Sequence, residues 1–469
     1  MSGSRRLRLP VAPLPLAGLA ALGVASAAIW SRSLGTRANF DEGGYTLALR
    51  TLEAGQELGE DIYLAQPPLF YHVLQGISLV TGSTFDGLRL GMIGISLLAL
   101  VAAFALGRAF AGDWGGLAAA ALLAALPPFP ANAPLIEADP PSVAFALVAL
   151  ALAAHGYGRD RHGALALLAG AALAVSILIK LFTVTAFAPL LALALWRRAT
   201  RRQLLLTVAG GVAATVLVLL PHVDALPEVW EGAVAGHLEQ REIEAPSHGD
   251  NAQRVLEFLH PRAPASYFVL AAVALAVLRP TRGAWTLWTW TAAAVAFTIA
   301  MRPLLDHHLV LLAAALAVPA GVAAVGGSDV LRRGGRVAAG ALGALLLAAG
   351  LAQQYTQLEE NNRPEDGRTL WAVEVVRAET HEDELIVTDI PTVAVLAERE
   401  VPGFTVDVSW GRVVSGSLNA RNLLSTVRQH RVGAVVVGRM LRVSPGVAEA
   451  LGREFPARVQ RDGVTVYYR

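Results

Sequence analysis

Residues 164–196 read ALALLAGAALAVSILIKLFTVTAFAPLLALALW, and Lys180 is the one charged residue in this stretch. A bilayer core requires about 20 mostly apolar residues per spanning helix, so the stretch suits two short spans that meet near Lys180. The whole chain has this character, because 54% of its 469 residues are hydrophobic and only 16% are charged. Soluble proteins carry about 25% charged residues. The composition therefore excludes a soluble or disordered chain and predicts a polytopic membrane protein.

Apolar windows of spanning length recur along the first three quarters of the chain, and counting them by length gives about eleven spans. Many are rich in Ala and Gly, which allows helices to pack closely in lipid. The predicted fold class is an all-α polytopic membrane protein that ends in a small α/β soluble domain. The predicted spans are 10–31, 87–107, 115–131, 140–157, 163–179, 181–196, 203–220, 264–278, 284–301, 308–326 and 337–352.

Basic residues in short loops orient these spans, because such loops stay on the cytoplasmic side. One orientation places all of them there if 67–82 is a juxtamembrane helix at the outer interface and not a span. The basic groups that fix this orientation include Arg5, Arg6 and Arg8, the cluster 197–202, and Arg279 with Arg282. The N-terminal segment also has an alternative interpretation as a signal peptide, with Ala25-Ser26-Ala27 as its cleavage site.

This topology predicts a protein of the inner membrane of the cell. Its membrane domain would span 1–352, with external loops at 32–86 and 221–263, and its domain over 353–469 would be extracytoplasmic. The tail changes in composition. Strands are predicted at 385–387, 435–437 and 464–468, and helices at 391–398, 419–430 and 445–455. Strands that alternate with helices are typical of a small α/β domain.

The first external loop opens with two adjacent carboxylates, Asp41 and Glu42, followed by Gly43 and Gly44. Such a pair suits a general base together with a metal or substrate anchor. The glycines would allow an acceptor to approach the backbone. The alternative is an ordinary solvated polar loop.

A second acidic site, Glu137 and Asp139, is predicted on the same side of the membrane. Asp139 precedes Pro140, so it also suits the role of a helix N-cap. Glu137 has no such explanation. Two acidic sites on one face of the membrane favour a shared function.

Cations are predicted on the same side of the membrane as these acids. Lys180 falls at the outer interface between two spans, where it either faces a lipid-borne phosphate or snorkels from a tight turn. Arg302, His307 and His308 lie at the outer end of another pair of spans and suit an anionic headgroup. Adjacent histidines point in different directions on a helix, which argues against a metal site made by this pair alone.

Several classes of chemistry are excluded by what the sequence lacks. It has no cysteine, so disulfides and thiol chemistry are absent. It also has no P-loop, no dinucleotide fingerprint, no HExxH and no GxSxG motif. The net charge of +1 gives no reason to expect nucleic acid as a partner.

Taken in order along the chain, these features resemble the GT-C glycosyltransferases that use polyprenyl-phosphate sugars, in particular the protein O-mannosyltransferase and aminoarabinose-transferase-like group. The resemblance covers most of 10–352. It departs from the family at Gln66, where His is more common, and at Glu137-x-Asp139, where many members carry a basic residue. The residues that carry it are Asp41-Glu42 with Tyr45, Asp61-Ile62-Tyr63, Gln66 to Tyr71, Arg89-Leu90, Pro127 to Asp139, Lys180 and His307-His308-Leu309.

The resemblance implies transfer of a sugar from a polyprenyl-phosphate donor to an acceptor hydroxyl of a glycan, lipid or protein on the outer face of the membrane. Asp41 would be the base and Glu42 its catalytic neighbour. The donor would be bound by Lys180, Arg302, His307, His308, Tyr45 and Tyr71. Such enzymes use either no cofactor or a divalent cation, for which Glu42, Glu137 and Asp139 are the expected ligands.

Two rival functions remain open from the sequence. A secondary transporter would place its ionisable groups near the bilayer midplane, whereas here they lie at or beyond the ends of spans. A scaffold that only presents the tail would leave the external carboxylates and Lys180 without a role. For the tail itself, the simplest expectation is that it packs over the entrance of the active site.

Overall fold

A computed structural model of the chain describes residues 12–159, 162–243, 247–258, 264–327, 333–361 and 363–469. The basic residues Arg5, Arg6 and Arg8 lie outside this part. Six helical segments in it are long and apolar enough to cross a membrane, and three shorter apolar helices accompany them. Within the described residues, each of the eleven predicted windows lies mostly on helical residues. The bundle helices are α1 (Pro13–Trp30), α4 (Phe85–Ala125), α5 (Pro128–Asn132), α6 (Asp139–Gly156), α7 (Gly163–Ile179), α8 (Phe187–Trp196), α9 (Arg201–Leu219), α13 (Pro264–Leu278), α14 (Trp285–Ala300), α15 (Leu309–Gly327) and α16 (Arg333–Asn361).

Helix α4 is a hairpin of two spans, as the two windows 87–107 and 115–131 predict. The backbone leaves helical geometry at Ala111 and Gly112, and Gly112 has φ +70°. Residues with a side chain rarely adopt this backbone conformation, whereas glycine adopts it readily. The two arms then touch through small residues, since a Cβ on Gly116 would lie 2.5 Å from the carbonyl oxygen of Phe104.

Small residues also bring α7 and α9 together. A Cβ on Gly170 would meet the carbonyl oxygen of Thr207 and a Cβ on Gly210 that of Leu167, both far inside van der Waals contact. Such contacts are typical of helix pairs in membranes, where close backbone approach replaces hydrophobic burial as the source of affinity. Helices α6 and α15 occupy the centre of the bundle and are mostly buried.

Short helices between the spans form a layer at one end of the bundle. In the first loop they are α2 (Phe40–Glu53) and α3 (Pro68–Thr81), and the second of these is the helix expected at 67–82. In the other large loop they are α10 (Leu226–Trp230), a π-helical turn Glu231–Ala235, α11 (Gly236–Ile243) and α12 (His248–Phe258).

The C-terminal domain contains a four-stranded sheet with the order β1-β2-β4-β3. Strands β1 and β2 are parallel, with Val387 beside Val435, and the remaining pairs are antiparallel. The elements are α17 (Gly367–Glu379), β1 (Ile386–Thr388), α18 (Pro391–Ala397), α19 (Trp410–Ser415), α20 (Ala420–Gln429), β2 (Ala434–Val437), α21 (Met440–Val443), α22 (Val447–Glu454), β3 (Ala457–Arg461) and β4 (Val464–Tyr468).

The sheet domain and the first external loop share one hydrophobic core. Leu47 and Ala48 of α2, Ile62 and Leu64 of the loop, and the sheet residues Ile386, Val436 and Val466 belong to the same buried cluster. Arg50 on α2 also donates a hydrogen bond to the carbonyl oxygen of Val395 on α18. The predicted boundary at 352 falls inside α16, which continues to Asn361.

This packing corrects one expectation about the glycines after Glu42. A Cβ on Gly43 would lie 2.8 Å from Cβ of Pro391 and 3.0 Å from the backbone N of Thr392. The space beside Gly43 is therefore filled by the start of α18 and cannot receive an acceptor. Gly44 does face the cavity described below.

Candidate active site

Helix α2 begins at a capping box that fixes the position of Asp41. The Asn39 side chain accepts a hydrogen bond from the Glu42 N–H, and the Glu42 carboxylate accepts one from the Asn39 N–H. Asp41 lies in this first helical turn, where the helix dipole favours a carboxylate. Its side chain lines a cavity of about 720 Å³.

Glu42 occupies a place that differs from the expected one, because its carboxylate is bound by Arg89 at the start of α4. Both of its oxygens accept hydrogen bonds from this guanidinium at 2.7 Å, and one of them also accepts from the Ile136 N–H at 3.2 Å. Arg89 is fully buried and donates further bonds to the carbonyl oxygens of Ser33, Thr36 and Arg37. Glu42 therefore ties α2 to the bundle and lies behind the cavity wall.

Glu137 is brought next to Asp41. One of its oxygens accepts a hydrogen bond from Nδ2 of Asn39 at 3.0 Å, whereas Oε2 is buried with no hydrogen-bond partner among the described residues. Burial raises the pKa of Glu137 well above its ordinary value. Ligand atoms of Asp41, Glu137 and His307 all lie within 4.8 Å of one another. The expected ligands Glu42 and Asp139 are not part of this group.

Asp139 forms a buried ion pair with Lys180. Its Oδ2 accepts a hydrogen bond from Nζ of Lys180 at 2.5 Å, and both side chains are about 5% exposed or less. Asp139 is the first residue of α6, and the N-cap position belongs to Ala138, which has no side-chain cap. The expected role of Asp139 as an N-cap is therefore replaced by its pairing with Lys180.

Lys180 has an extended backbone conformation and lies between α7 and the 3₁₀ turn Leu181–Ala186, where the two predicted spans meet. Its ammonium lies 4.7 Å from the centre of the Phe182 ring and lines the cavity. An ammonium has three N–H donors, and Asp139 accepts from it at one position. Asp139 thus holds the Lys180 ammonium in place while leaving donors for a further anion.

The other expected binding residues also line this cavity. Arg302 has a buried Nε without a hydrogen-bond partner among the described residues. The His308 ring accepts a hydrogen bond from the Leu305 N–H and packs edge-on against Phe182. The cavity is lined by Asp41, Tyr45, Tyr71, Lys180, Arg302, His307 and His308, together with apolar residues that include Leu181, Val184 and Phe297.

The tyrosines at the cavity are held by polar contacts within the first loop. The hydroxyl of Tyr45 accepts a hydrogen bond from Nε2 of Gln66, the residue that replaces the family's more common His, and that of Tyr71 accepts from the Ala65 N–H. Burial raises the pKa of Tyr71 well above its ordinary value, so its hydroxyl stays neutral and serves as a hydrogen-bonding group in the cavity wall.

Residues from the tail also line the cavity, and no motif in the sequence identifies them in advance. Asp407, Ser409, Trp410, Gly411 and Met440 line it from the side of the C-terminal domain. The tail therefore forms one wall of the cavity. Arg89, which the sequence placed only at the opening of a span, supplies the counter-ion of Glu42.

The pKa of Asp41 is raised to about 6, first by burial. Lys180 opposes this shift, while the charges of Asp407, Asp139 and Glu42 add to it. A carboxyl with this pKa is mostly ionised at neutral pH and is a stronger base than an exposed aspartate. The site thus combines a basic carboxylate with nearby cations in one cavity.

Comparison with known proteins gives one family match. Residues 65–223 match the family model described as dolichyl-phosphate-mannose-protein mannosyltransferase. This region contains Gln66, Arg89, Glu137, Asp139 and Lys180. No protein of curated function matches the chain at a significant level.

Solved structures match over nearly the whole chain. ArnT from Cupriavidus metallidurans bound to undecaprenyl phosphate is similar with a TM-score of 0.68 and 17% identity, over 96% of this chain and 98% of that one. The archaeal oligosaccharyltransferase AglB from Archaeoglobus fulgidus gives 0.57 and 13%, over 94% and 72%. The arabinofuranosyltransferase AftD from Mycobacteria gives 0.56 and 14%, over 100% and 40%.

These comparisons confirm the resemblance to the GT-C glycosyltransferases that use polyprenyl-phosphate sugars. They also confirm the fold class, a helical membrane domain followed by a small sheet domain. At these low identities the similarity of structure speaks for the fold, and the activity has to be argued from the site itself.

Proposed function

We propose that the protein is a glycosyltransferase that moves a sugar from a polyprenyl-phosphate donor to an acceptor hydroxyl at the outer face of the cytoplasmic membrane. The observation that carries this proposal is that Asp41, Lys180 and Arg302 line one cavity. The family match and the structural similarity to an ArnT bound to undecaprenyl phosphate support the class of donor.

The cation side of the cavity suits the phosphate of the donor. Lys180 has donors left beyond its bond to Asp139, and the buried Nε of Arg302 lacks a partner among the described residues. Apolar side chains continue this side of the cavity, among them Phe182 and Val184, and Val184 is partly exposed beside the bundle. A lipid chain can therefore lie along the bundle while its phosphate meets Lys180 and Arg302.

The carboxylate of Asp41 suits the acceptor. It takes the proton of the acceptor hydroxyl as the hydroxyl oxygen forms a bond to the anomeric carbon. The bond between the anomeric carbon and the phosphate oxygen breaks, and polyprenyl phosphate leaves with its negative charge stabilised by Lys180. No nucleotide is involved, in keeping with the absence of phosphate-loop motifs from the sequence.

Asp139 and Glu42 act as positioning residues in this proposal. Asp139 orients the Lys180 ammonium, and Glu42 anchors the helix that carries Asp41 by its two hydrogen bonds to Arg89. His307 and His308 line the same cavity.

A divalent cation fits beside Asp41. Two carboxylates and one imidazole suit zinc or manganese, and the unpartnered Oε2 of Glu137 is a buried oxygen that such an ion would satisfy. Bound there by Asp41, Glu137 and His307, the cation would supply positive charge that keeps both carboxylates ionised. The metal content of the purified protein, compared with that of Glu137→Gln, tests this site.

The localisation follows from the same orientation. The basic loops support an orientation with the external layer, the cavity and the sheet domain outside the cytoplasm. From this orientation and the multi-pass fold, we infer an inner-membrane enzyme with an extracytoplasmic C-terminal domain.

A transfer assay tests the proposed function. The purified protein is incubated in lipid nanodiscs with a radiolabelled polyprenyl-phosphate hexose and an envelope extract from cells that lack the protein. We expect label to move into the acceptor fraction with release of polyprenyl phosphate. A protein that leaves the lipid-linked sugar intact, and in proteoliposomes carries a solute across the bilayer, would be a transporter and would refute the proposal.

A further inference from the structure

The C-terminal domain presents to the cavity a carboxylate that the proposed chemistry does not use. Asp407 follows the 3₁₀ turn Gly403–Thr405 and lines the cavity together with Trp410 and with Tyr63 of the first loop. Its Oδ1 is buried and has no hydrogen-bond partner among the described residues. Asp407 is also one of the charges that act on Asp41, so the two carboxylates belong to the same electrostatic environment.

Arg412 fixes Asp407 in this position before any ligand binds. Its guanidinium lies 3.8 Å from the centre of the Tyr63 ring and 4.5 Å from that of Phe404. It donates hydrogen bonds to the carbonyl oxygens of Phe404 and Asp407 through Nη1. The Tyr63 N–H in turn donates to the carbonyl oxygen of Gly403. The segment that carries Asp407 is therefore clamped to the first loop.

A carboxylate on a clamped backbone segment, beside aromatic side chains, suits the recognition of a sugar. A carboxylate accepts hydrogen bonds from hydroxyls and such charge-assisted bonds are strong. Pockets of this kind pair apolar walls with a few placed polar groups that set specificity. Asp407 supplies the acceptor, and Trp410 and Tyr63 supply aromatic surface.

The distribution of charge indicates which sugar fits. Lys180 and Arg302 come from the ends of bundle helices, so the phosphate of a membrane-anchored donor reaches them first. The sugar then extends toward Asp41 and Asp407. A sugar carboxylate would face both of these anions, and like charges placed close together repel each other.

We propose that Asp407, with Trp410, forms a sugar-binding wall of the cavity and selects an uncharged sugar over a uronic acid. This inference rests on the proposed function, because its ligand is the sugar of the donor. It assigns to the C-terminal domain a part in substrate selection, beyond covering the active site.

Binding to the purified full chain tests this with three probes that share one short polyprenyl phosphate. The first carries no sugar, the second a hexose and the third a hexuronic acid. The variant is Asp407→Asn, and the control is Asp383→Asn, which removes an exposed carboxylate of the same domain. Loss of one charge-assisted hydrogen bond should weaken hexose-donor binding about tenfold or more.

The expected pattern separates recognition from structure. Asp407→Asn should leave the affinity for the sugar-free lipid phosphate unchanged and should strengthen binding of the hexuronic acid donor, while Asp383→Asn behaves as wild type. Equal weakening of all three probes, or unchanged discrimination between the two sugars, would overturn the inference while leaving the proposed function intact. A wild-type protein that binds none of the probes would refute both.

Discussion

At Asp41, burial and a neighbouring cation act in opposite directions on one carboxyl group. Burial raises its pKa to about 6, and Lys180 limits the rise. A raised pKa means that the group gains its proton as the pH falls through about 6, and a protonated Asp41 cannot act as a base. The burial that disfavours the ionised form of Asp41 is therefore also what makes its carboxylate a stronger base.

The pH dependence of kcat/KM follows from this. We expect activity to rise with pH and to level off above about 6, the pKa of Asp41 in the free enzyme. Replacing Asp407 by Asn removes a negative charge that raises this pKa, so the rising limb should move to lower pH. Rates measured between pH 5 and 8 check both. A flat profile in wild type freed of divalent cations would exclude Asp41 as the base.

A second prediction at the scale of a single residue concerns Lys180. Lys180→Met removes the charge beside Asp139, so we expect donor binding to weaken, and Lys180→Arg should retain part of it because charge is kept while geometry changes. The matched control is Asp139→Asn, which keeps the lysine but removes its ion-pair partner. This variant should lose less donor affinity than Lys180→Met. Equilibrium binding of a sugar-free polyprenyl phosphate is the measurement. Wild-type affinity in Lys180→Met would reduce Lys180 to a structural role.

Among the elements, α2 has a position that depends on one buried ion pair. Breaking a buried pair by removing one partner typically costs ~3–5 kcal/mol, because the other charge is left uncompensated. We expect Glu42→Gln to lower the apparent unfolding temperature strongly by orphaning Arg89. Glu449→Gln breaks an exposed pair with Arg453 and should have little effect. Similar unfolding temperatures for both variants would contradict the anchoring role of Glu42.

The elements also show what the sequence could predict. Apolar windows and buried strands such as Val435–Val437 carry their own pattern, so the spans and three of the four strands were predicted. Strand β3 was missed because it is largely exposed and reads as a polar segment, Ala457–Arg461.

The residues of the site also fall into those that the sequence predicts and those that it does not. Asp41 and Lys180 stand out because charge is conspicuous at the end of a span. The pairing of Glu42 with Arg89, the grouping of His307 with Asp41 and Glu137, and the position of Asp407 at the cavity depend on contacts between segments far apart in the chain. No local pattern encodes such contacts.

At the scale of the whole molecule, one orientation underlies every functional assignment. The chain has no cysteine, so single introduced cysteines report on sidedness. We expect Glu60→Cys, Ser247→Cys and Ser417→Cys to react with an impermeant reagent in intact cells, because all three positions are exposed. Thr200→Cys, equally exposed but in a basic loop, should react only after lysis. The reverse pattern would move the cavity to the cytoplasmic side.

The central claim is that Asp41 is the base for transfer of a lipid-linked sugar, and turnover by Asp41→Asn tests it most directly. The amide keeps the shape of the side chain but cannot take the proton, and a positioned general base contributes about 10²–10⁴-fold in rate. With labelled polyprenyl-phosphate sugar, we predict a loss of turnover of that size with donor binding preserved, while the exposed control Asp61→Asn stays near wild type. Turnover close to wild type in Asp41→Asn would contradict the account.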